Sequence, residues 1–291
     1  MAGVSVLILT LDEEKNLPAC LSALSWCDDI HIVDSFSSDA TVSIARSADA
    51  QVIQRAFDSF AGQRNYALDR IKFKHDWVLH LDADEICTEE LRREVCEQTE
   101  ETEYDAFRIP SKMMFMEKWL KFSGMYPTYQ VRLGRQDGFR FKQVGHGQRE
   151  DLDPSCIGTL QSPYWHYSFS KGLDEWFDKH NRYSTQEALR VDGAVNLDLA
   201  GLFSLSDTTR RRRALKQLSF RLPFRPTLRF LYMYLLRRGI LDGVAGYRYC
   251  RLLSVYEAMI DAKVAVSHQH TATLPLERNT ADYHLTGRKT A

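Results

Sequence analysis

Leu81-Asp82-Ala83-Asp84-Glu85 closes an apolar run that begins at Trp77. Carboxylates at i and i+2 can share one hard divalent cation, and a cation held there could bridge phosphate oxygens. The competing reading is a solvated acidic turn ahead of a helix, since Thr88-Glu89-Glu90-Leu91 is a good helix start. Two more acid groups stand in similar places. Asp12 and Glu13 follow Val4-Ser5-Val6-Leu7-Ile8-Leu9, and Asp34 ends Ile30-His31-Ile32-Val33. Acids closing three apolar strands suggest a cation-assisted polyanion site. No glycine-rich phosphate loop follows any of these strands, so a phosphate ligand here would need a metal.

The elements that must position these acids are legible from periodicity. Strands are expected at 4–9, 30–34, 51–54 and 77–81. Helices are expected after Asp12-Glu13-Glu14, from Thr41, over 60–68 and over 89–103, with the three acids filling the first turn of the first. The repeat of strand, acidic loop and helix is that of a parallel α/β sheet with right-handed crossovers, which gathers strand ends on one rim. Beyond it, strands are expected at 106–110, at 129–133 with 138–141 as hairpin partner, and at 164–168, then a helix over 173–189.

Val4 to Leu17, Val33-Asp34-Ser35-Phe36-Ser37-Ser38-Asp39-Ala40-Thr41 and Leu81 to Glu85 together resemble the family-2 glycosyltransferases of the GT-A fold. Gly124-Met125-Tyr126-Pro127 and Arg237 to Gly243 resemble the bacterial branch that includes lipopolysaccharide-core β-1,4-glucosyltransferases. The resemblance implies a Rossmann-like, mostly parallel sheet flanked by helices, here carrying a C-terminal basic amphipathic helical segment. It implies that Asp34 hydrogen-bonds the nucleotide base, with Asp12 or Glu13 near the same end of the donor. Asp82 would contact the ribose or reach the metal through water. Asp84 would bind the Mn2+ or Mg2+ bridging the diphosphate of a nucleotide sugar, and Glu85 reads as helix-start charge. The sequence has Leu11-Asp12-Glu13-Glu14 where many members carry Asn-Glu.

Inverting sugar transfer needs a carboxylate to take the acceptor hydroxyl's proton. The resemblance places such a base shortly after the later strands, often beside a His, and in Val144-Gly145-His146-Gly147-Gln148-Arg149-Glu150-Asp151 the expected residue is Glu150, with Asp151 next and His146 in support; the competing reading is a charged turn. His166, alone among aromatics in Tyr164-Trp165-His166-Tyr167, is either a packed core residue or, as in similar enzymes, a further metal ligand. Its imidazole would favour Mn2+ over Mg2+.

The net charge of −1 conceals a division. Residues 1–209 carry 22 Lys/Arg against 34 Asp/Glu, whereas residues 210–251 carry 12 against the single acid Asp242. Three regions follow: a glycosyltransferase domain over 1–205, a basic amphipathic helical region over 206–270 and a polar tail over 271–291. The longest uncharged run in the basic segment, Phe230–Leu236, is too short to span a bilayer, and its mixture of Arg, Leu and aromatics suits a helix lying in the headgroup region. Packing on the acidic half and nucleic acid are the rival partners; no nucleic-acid motif is present, and the expectation is no nucleic acid. Six cysteines without paired spacing, and no secretory leader, suit a cytoplasmic protein peripheral on the inner face of the cell membrane.

The expectation is therefore a metal-dependent, inverting transferase moving a hexose onto a lipid-linked or glycan acceptor. Two alternatives differ by class. A sugar nucleotidyltransferase would need a basic, glycine-rich loop after the first strand, and a non-catalytic membrane-associated protein on the same fold would not bind UDP with Mn2+.

Overall fold

A computed structural model describes residues 3–144, 147–193, 198, 200, 208–219, 222 and 224–273. The strands of the mixed sheet run side by side in the order 51–54, 30–34, 4–10, 77–82, 128–135, 106–115, 164–166 and 85–86. Strands β1 (Val4–Thr10), β2 (Ile30–Asp34), β3 (Gln51–Gln54) and β4 (Trp77–Asp82) are mutually parallel. Helices α1 (Leu17–Ser22), α2 (Thr41–Ser47) and α3 (Phe60–Arg70) connect them. β1 is central, and its residues alternate between two cores. Val4, Val6 and Ile8 join Leu17, Leu21 and Leu24, while Leu7 faces Ala61, Ala67 and Leu68 of α3. A strand buried on both faces is apolar along most of its length, which is why this run is so legible.

The short β5 (Glu85–Ile86) leads to α4 (Glu89–Gln98), capped by Thr88, whose hydroxyl accepts the Leu91 N–H at 3.1 Å. β6 (Ala106–Phe115) carries β7 (Lys118–Trp119) at its far end, and β8 (Thr128–Arg135) lies antiparallel between β4 and β6. Both sides of β8 are thus occupied, and 138–141 does not pair with it as expected. Instead β9 (Phe141–Val144) forms its own hairpin with β10 (Gly147–Glu150), packed on α3. β11 (Ile157–Thr159) and β12 (Tyr164–His166) add to β6.

After the sheet come α5 (Leu173–Gly193), α6 (Thr208–Ser219), α7 (Arg225–Leu231) and α8 (Gly243–Thr273). α7 continues into a wide helical turn, Tyr232–Leu236, and a 3-10 turn, Gly239–Asp242, before α8. α8 binds α5 through Lys263, whose ammonium donates to the Asn181 carbonyl at 2.6 Å and to Ser184 Oγ at 2.8 Å. A third core cluster, Phe115, Leu120, Ala245 and Tyr249, joins α8 to the ends of β6 and β7. Among the described residues no helix is long and apolar enough to cross a membrane. Residues 274–291 of the expected tail lie outside the described residues.

Candidate active site at the carboxyl rim of the sheet

Thr10, Asp34 and Asp82 end three neighbouring parallel strands, so the sheet itself brings their loops together. The first two loops interlock. Asp12, at φ 53°, accepts the Ser38 N–H at 2.7 Å and returns its own N–H to Ser37 Oγ at 2.9 Å. Glu13 N–H donates to Thr41 Oγ1 at 2.7 Å, and Glu14 N–H to Asp39 at 3.0 Å. These acids were expected in the first turn of α1; they stand ahead of it, because their backbone is bound to the second loop. Phe36, at φ 63° and 59% exposed, projects from that loop. Left-handed geometry at two non-glycine residues is strain held in place by this network.

Asp34 is fully buried. Its carboxylate accepts from Thr10 Oγ1 at 2.9 Å, Ser37 N–H at 3.0 Å, Gln54 Nε2 at 3.0 Å and the Ser37 hydroxyl. Burial pushes its pKa up, but these hydrogen bonds outweigh it and leave the group below the usual carboxylate range. Two carboxylate oxygens offer about four acceptor positions, and all are taken. A base would reach Asp34 only by displacing one of these donors.

Asp82 and Glu85 form a buried network with two arginines. Arg64 Nη2 meets Asp82 Oδ1 at 2.6 Å, and Arg132 Nη2 meets Asp82 Oδ2 at 2.7 Å and also Glu85. The Glu85 carboxylate further accepts the Asp82 N–H at 2.9 Å. Glu85 is therefore not helix-start charge. It is fully buried, belongs to β5 and fastens the turn before α4. Burial pushes its carboxyl up to about 7, with Arg132 opposing. At Asp82, burial is outweighed by Arg132 and Arg64, and the carboxylate stays well below its usual range.

Asp84 faces His166, with Oδ2 and Nε2 3.4 Å apart and each side chain 22% exposed. The Tyr167 N–H donates to the Asp84 carbonyl at 2.8 Å, docking β12 against the turn. Burial opposes the charge on both groups, but their mutual attraction lowers Asp84 and raises His166 to about 9. Two ligands each about 2.1 Å from one metal stand roughly 3.0–3.5 Å apart, and this pair has that spacing. Among the described residues no third His, Cys, Asp or Glu completes a ligand cluster. A Mg2+ or Mn2+ held here would fill its remaining positions with water and ligand phosphates, which is its usual habit.

Lys171, in the loop between β12 and α5, reaches back to the first loop. Its ammonium donates to the Leu11 carbonyl at 3.1 Å and pairs with Glu13 at 2.6 Å. Burial raises the Glu13 carboxyl, with Lys171 and Asn16 opposing. Arg64, Arg132, Glu85 and Lys171 are the site-forming residues that composition and spacing did not indicate. The one available signal was Arg64 standing alone among amides in Gln63-Arg64-Asn65.

Glu150 lies directly opposite Phe141 in the β9–β10 hairpin and so shares its face. Phe141 is buried, packs its ring edge-on to His80, and lies 5.7 Å beneath the Arg64 guanidinium. Asp151 follows on the outer face, exposed and paired with Lys142 at 2.9 Å. No hydrogen bond or ion pair among the described residues joins Glu150 or Asp151 to Asp82 or Asp84. His146 lies outside the described residues.

Residues 5–167 match the family model described as glycosyl transferase family 2. An uncharacterized glycosyltransferase of Rickettsia typhi is 27% identical over 202 residues, 65% of this chain and 68% of the relative. A lipopolysaccharide core biosynthesis glycosyltransferase of Rhizobium meliloti is 25% identical over 273 residues, 91% of this chain and 93% of the relative. Among solved structures, Mycobacterium tuberculosis glucosyl-3-phosphoglycerate synthase bound to Mn2+, UDP and glucosyl-3-phosphoglycerate aligns at TM-score 0.46 and 14% identity. That alignment covers 66% of this chain and 79% of the other.

Proposed function

The chain belongs to glycosyl transferase family 2, and on that premise we propose that it transfers a hexose, with inversion, from a nucleotide-diphosphate sugar to a lipid-linked or lipopolysaccharide-type acceptor at the membrane surface. The observation that carries the chemistry is the Asp84–His166 pair, 3.4 Å apart at the sheet rim beside the arginine-held Asp82. Asp84 and His166 would hold Mn2+ or Mg2+, which when bound neutralises the leaving diphosphate. Asp34 shapes the loop that receives the base, and Asp12 and Glu13 set the adjoining loop. Asp82, fixed by Arg64 and Arg132, presents its remaining exposed edge to the ribose side of the donor.

Glu150 takes the proton of the acceptor hydroxyl as the sugar carbon is attacked. The hairpin register supports it over Asp151, because Glu150 shares the inner face with Phe141 and Asp151 the outer face with Lys142. The acceptor class rests on the lipopolysaccharide-core activity in the name of the Rhizobium relative, which spans 91% of this chain, together with the basic segment at 210–251.

Donor screening with divalent metal, followed by radiolabel transfer to membrane extract, tests the reading. Asp84→Ala is expected to abolish turnover, and a chelator to do the same in the native protein. Glu150→Gln is expected to retain donor binding and lose about 100-fold or more in transfer, the usual contribution of a positioned general base. Full activity of Asp84→Ala in the presence of a chelator would overturn the proposal.

A further inference from the structure

We propose that the turn Leu235–Val244 is the part of this protein that inserts into an anionic lipid surface. Leu235, Leu236, Ile240, Leu241 and Val244 are 53, 76, 50, 59 and 64% exposed, five large aliphatic side chains within ten residues. Single exposed apolar residues are ordinary, but a contiguous group of this size marks an interaction surface. Arg237, Arg238 and Arg248 are exposed among them. The one carboxylate in residues 210–251, Asp242, is buried, so every exposed charge this segment contributes is positive.

That arrangement favours lipid over a second copy of the chain. A symmetric dimer through this turn would set like arginine clusters against one another, whereas phosphate headgroups complement them while the aliphatic side chains enter the acyl boundary.

The turn is also built rather than frayed. Asp242 accepts the Ser123 N–H at 2.7 Å, the Ser123 hydroxyl at 2.6 Å and the Phe122 N–H at 3.1 Å. A Cβ on Gly246 would fall 2.2 Å from the Gly239 carbonyl oxygen, so α8 and the 3-10 turn pack backbone to backbone. Ser123 follows β7, β7 pairs with the end of β6, and Met113 of β6 is the register partner of His166. The inserted turn is therefore tied through a short rigid path to the edge of the sugar-transfer site.

The purpose of this docking rests on the reading that the acceptor is lipid-linked, but the docking is measurable without any acceptor. Flotation of the full-length protein with phosphatidylcholine vesicles, with and without phosphatidylglycerol, is the test. Leu236→Ser/Ile240→Ser/Leu241→Ser is expected to weaken vesicle binding by about tenfold or more while nucleotide binding stays unchanged. Arg237→Gln/Arg238→Gln is expected to remove the preference for phosphatidylglycerol and leave residual binding. The proposal is overturned if the triple variant floats like the native protein. It is equally overturned if the triple variant turns a native dimer into a monomer and vesicle binding does not change. Vesicle binding through this turn by a protein that transfers no sugar would sink the proposed function alone; transfer without it would sink this inference alone.

Discussion

Arg132 serves Asp82 and Glu85 with one guanidinium, and that sharing fixes what each carboxylate can do. Its Nη2 lies between them, and among the described residues Arg132 is the one ion-pair partner of the wholly buried Glu85. Removing one member of a buried ion pair strands the other, which is far more destabilising than the pair is stabilising. Arg132→Met is therefore expected to lower stability by about 3–5 kcal/mol, read as a lower denaturant midpoint, and Arg132→Met/Glu85→Gln by distinctly less than the sum of the two single changes. Strict additivity would refute the coupling. Asp82, Asp84 and Asp34 were readable in the sequence because an acid ending an apolar strand is conspicuous. Arg132 was not, since strict alternation through Tyr129-Gln130-Val131-Arg132-Leu133 gives no reason for it to be buried beside Leu133. The pairing of β8 with β6 jumps from Leu133–Phe107 to Val131–Arg108, leaving Arg132 as the unpaired extra residue. A bulge of that kind re-aims a side chain, and nothing in the local sequence announces it.

Lys171 joins elements that are remote along the chain, the loop after β1 and the loop between β12 and α5. Its contacts with the Leu11 carbonyl and Glu13 close one side of the donor rim. Lys171→Met is expected to raise the donor KM by about 3- to 10-fold, on the order of 1 kcal/mol of lost positioning, with a smaller change in kcat. Glu13→Gln should do much the same, and the double variant little more; independent effects in steady-state kinetics would show that the two residues do not act as a strap. The parallel half of the sheet was legible because each βαβ unit carries its own periodicity and needs no distant partner. The expected 129–133/138–141 hairpin failed for the complementary reason. β8 lies between β4 and β6, so no edge remains for its sequence neighbour, and Phe141–Val144 turns forward to pair with β10 instead. Local adjacency cannot reveal that a strand is already flanked by segments from elsewhere in the chain.

At the scale of the whole molecule, the acidic and basic portions respond differently to an anionic surface. Residues 1–209 carry a net −12 and residues 210–251 a net +11, so a negatively charged bilayer repels the first and attracts the second. On the proposed membrane docking, that field would orient the protein with its basic segment down, and the aliphatic side chains at Leu235–Val244 would add a contribution that does not depend on charge. Salt separates the two. Raising ionic strength from roughly 0.1 to 1 M shortens the screening length from about 10 Å to about 3 Å, which removes long-range attraction but leaves apolar insertion intact. Transfer to an acceptor embedded in phosphatidylglycerol vesicles is thus expected to fall with salt to a plateau above zero, and transfer to a water-soluble fragment of the same acceptor to change little. In Leu236→Ser/Ile240→Ser/Leu241→Ser the plateau should vanish, because only the screened component remains. Equal salt sensitivity with embedded and soluble acceptors would place the effect at the donor site and refute an orienting role for the charge division.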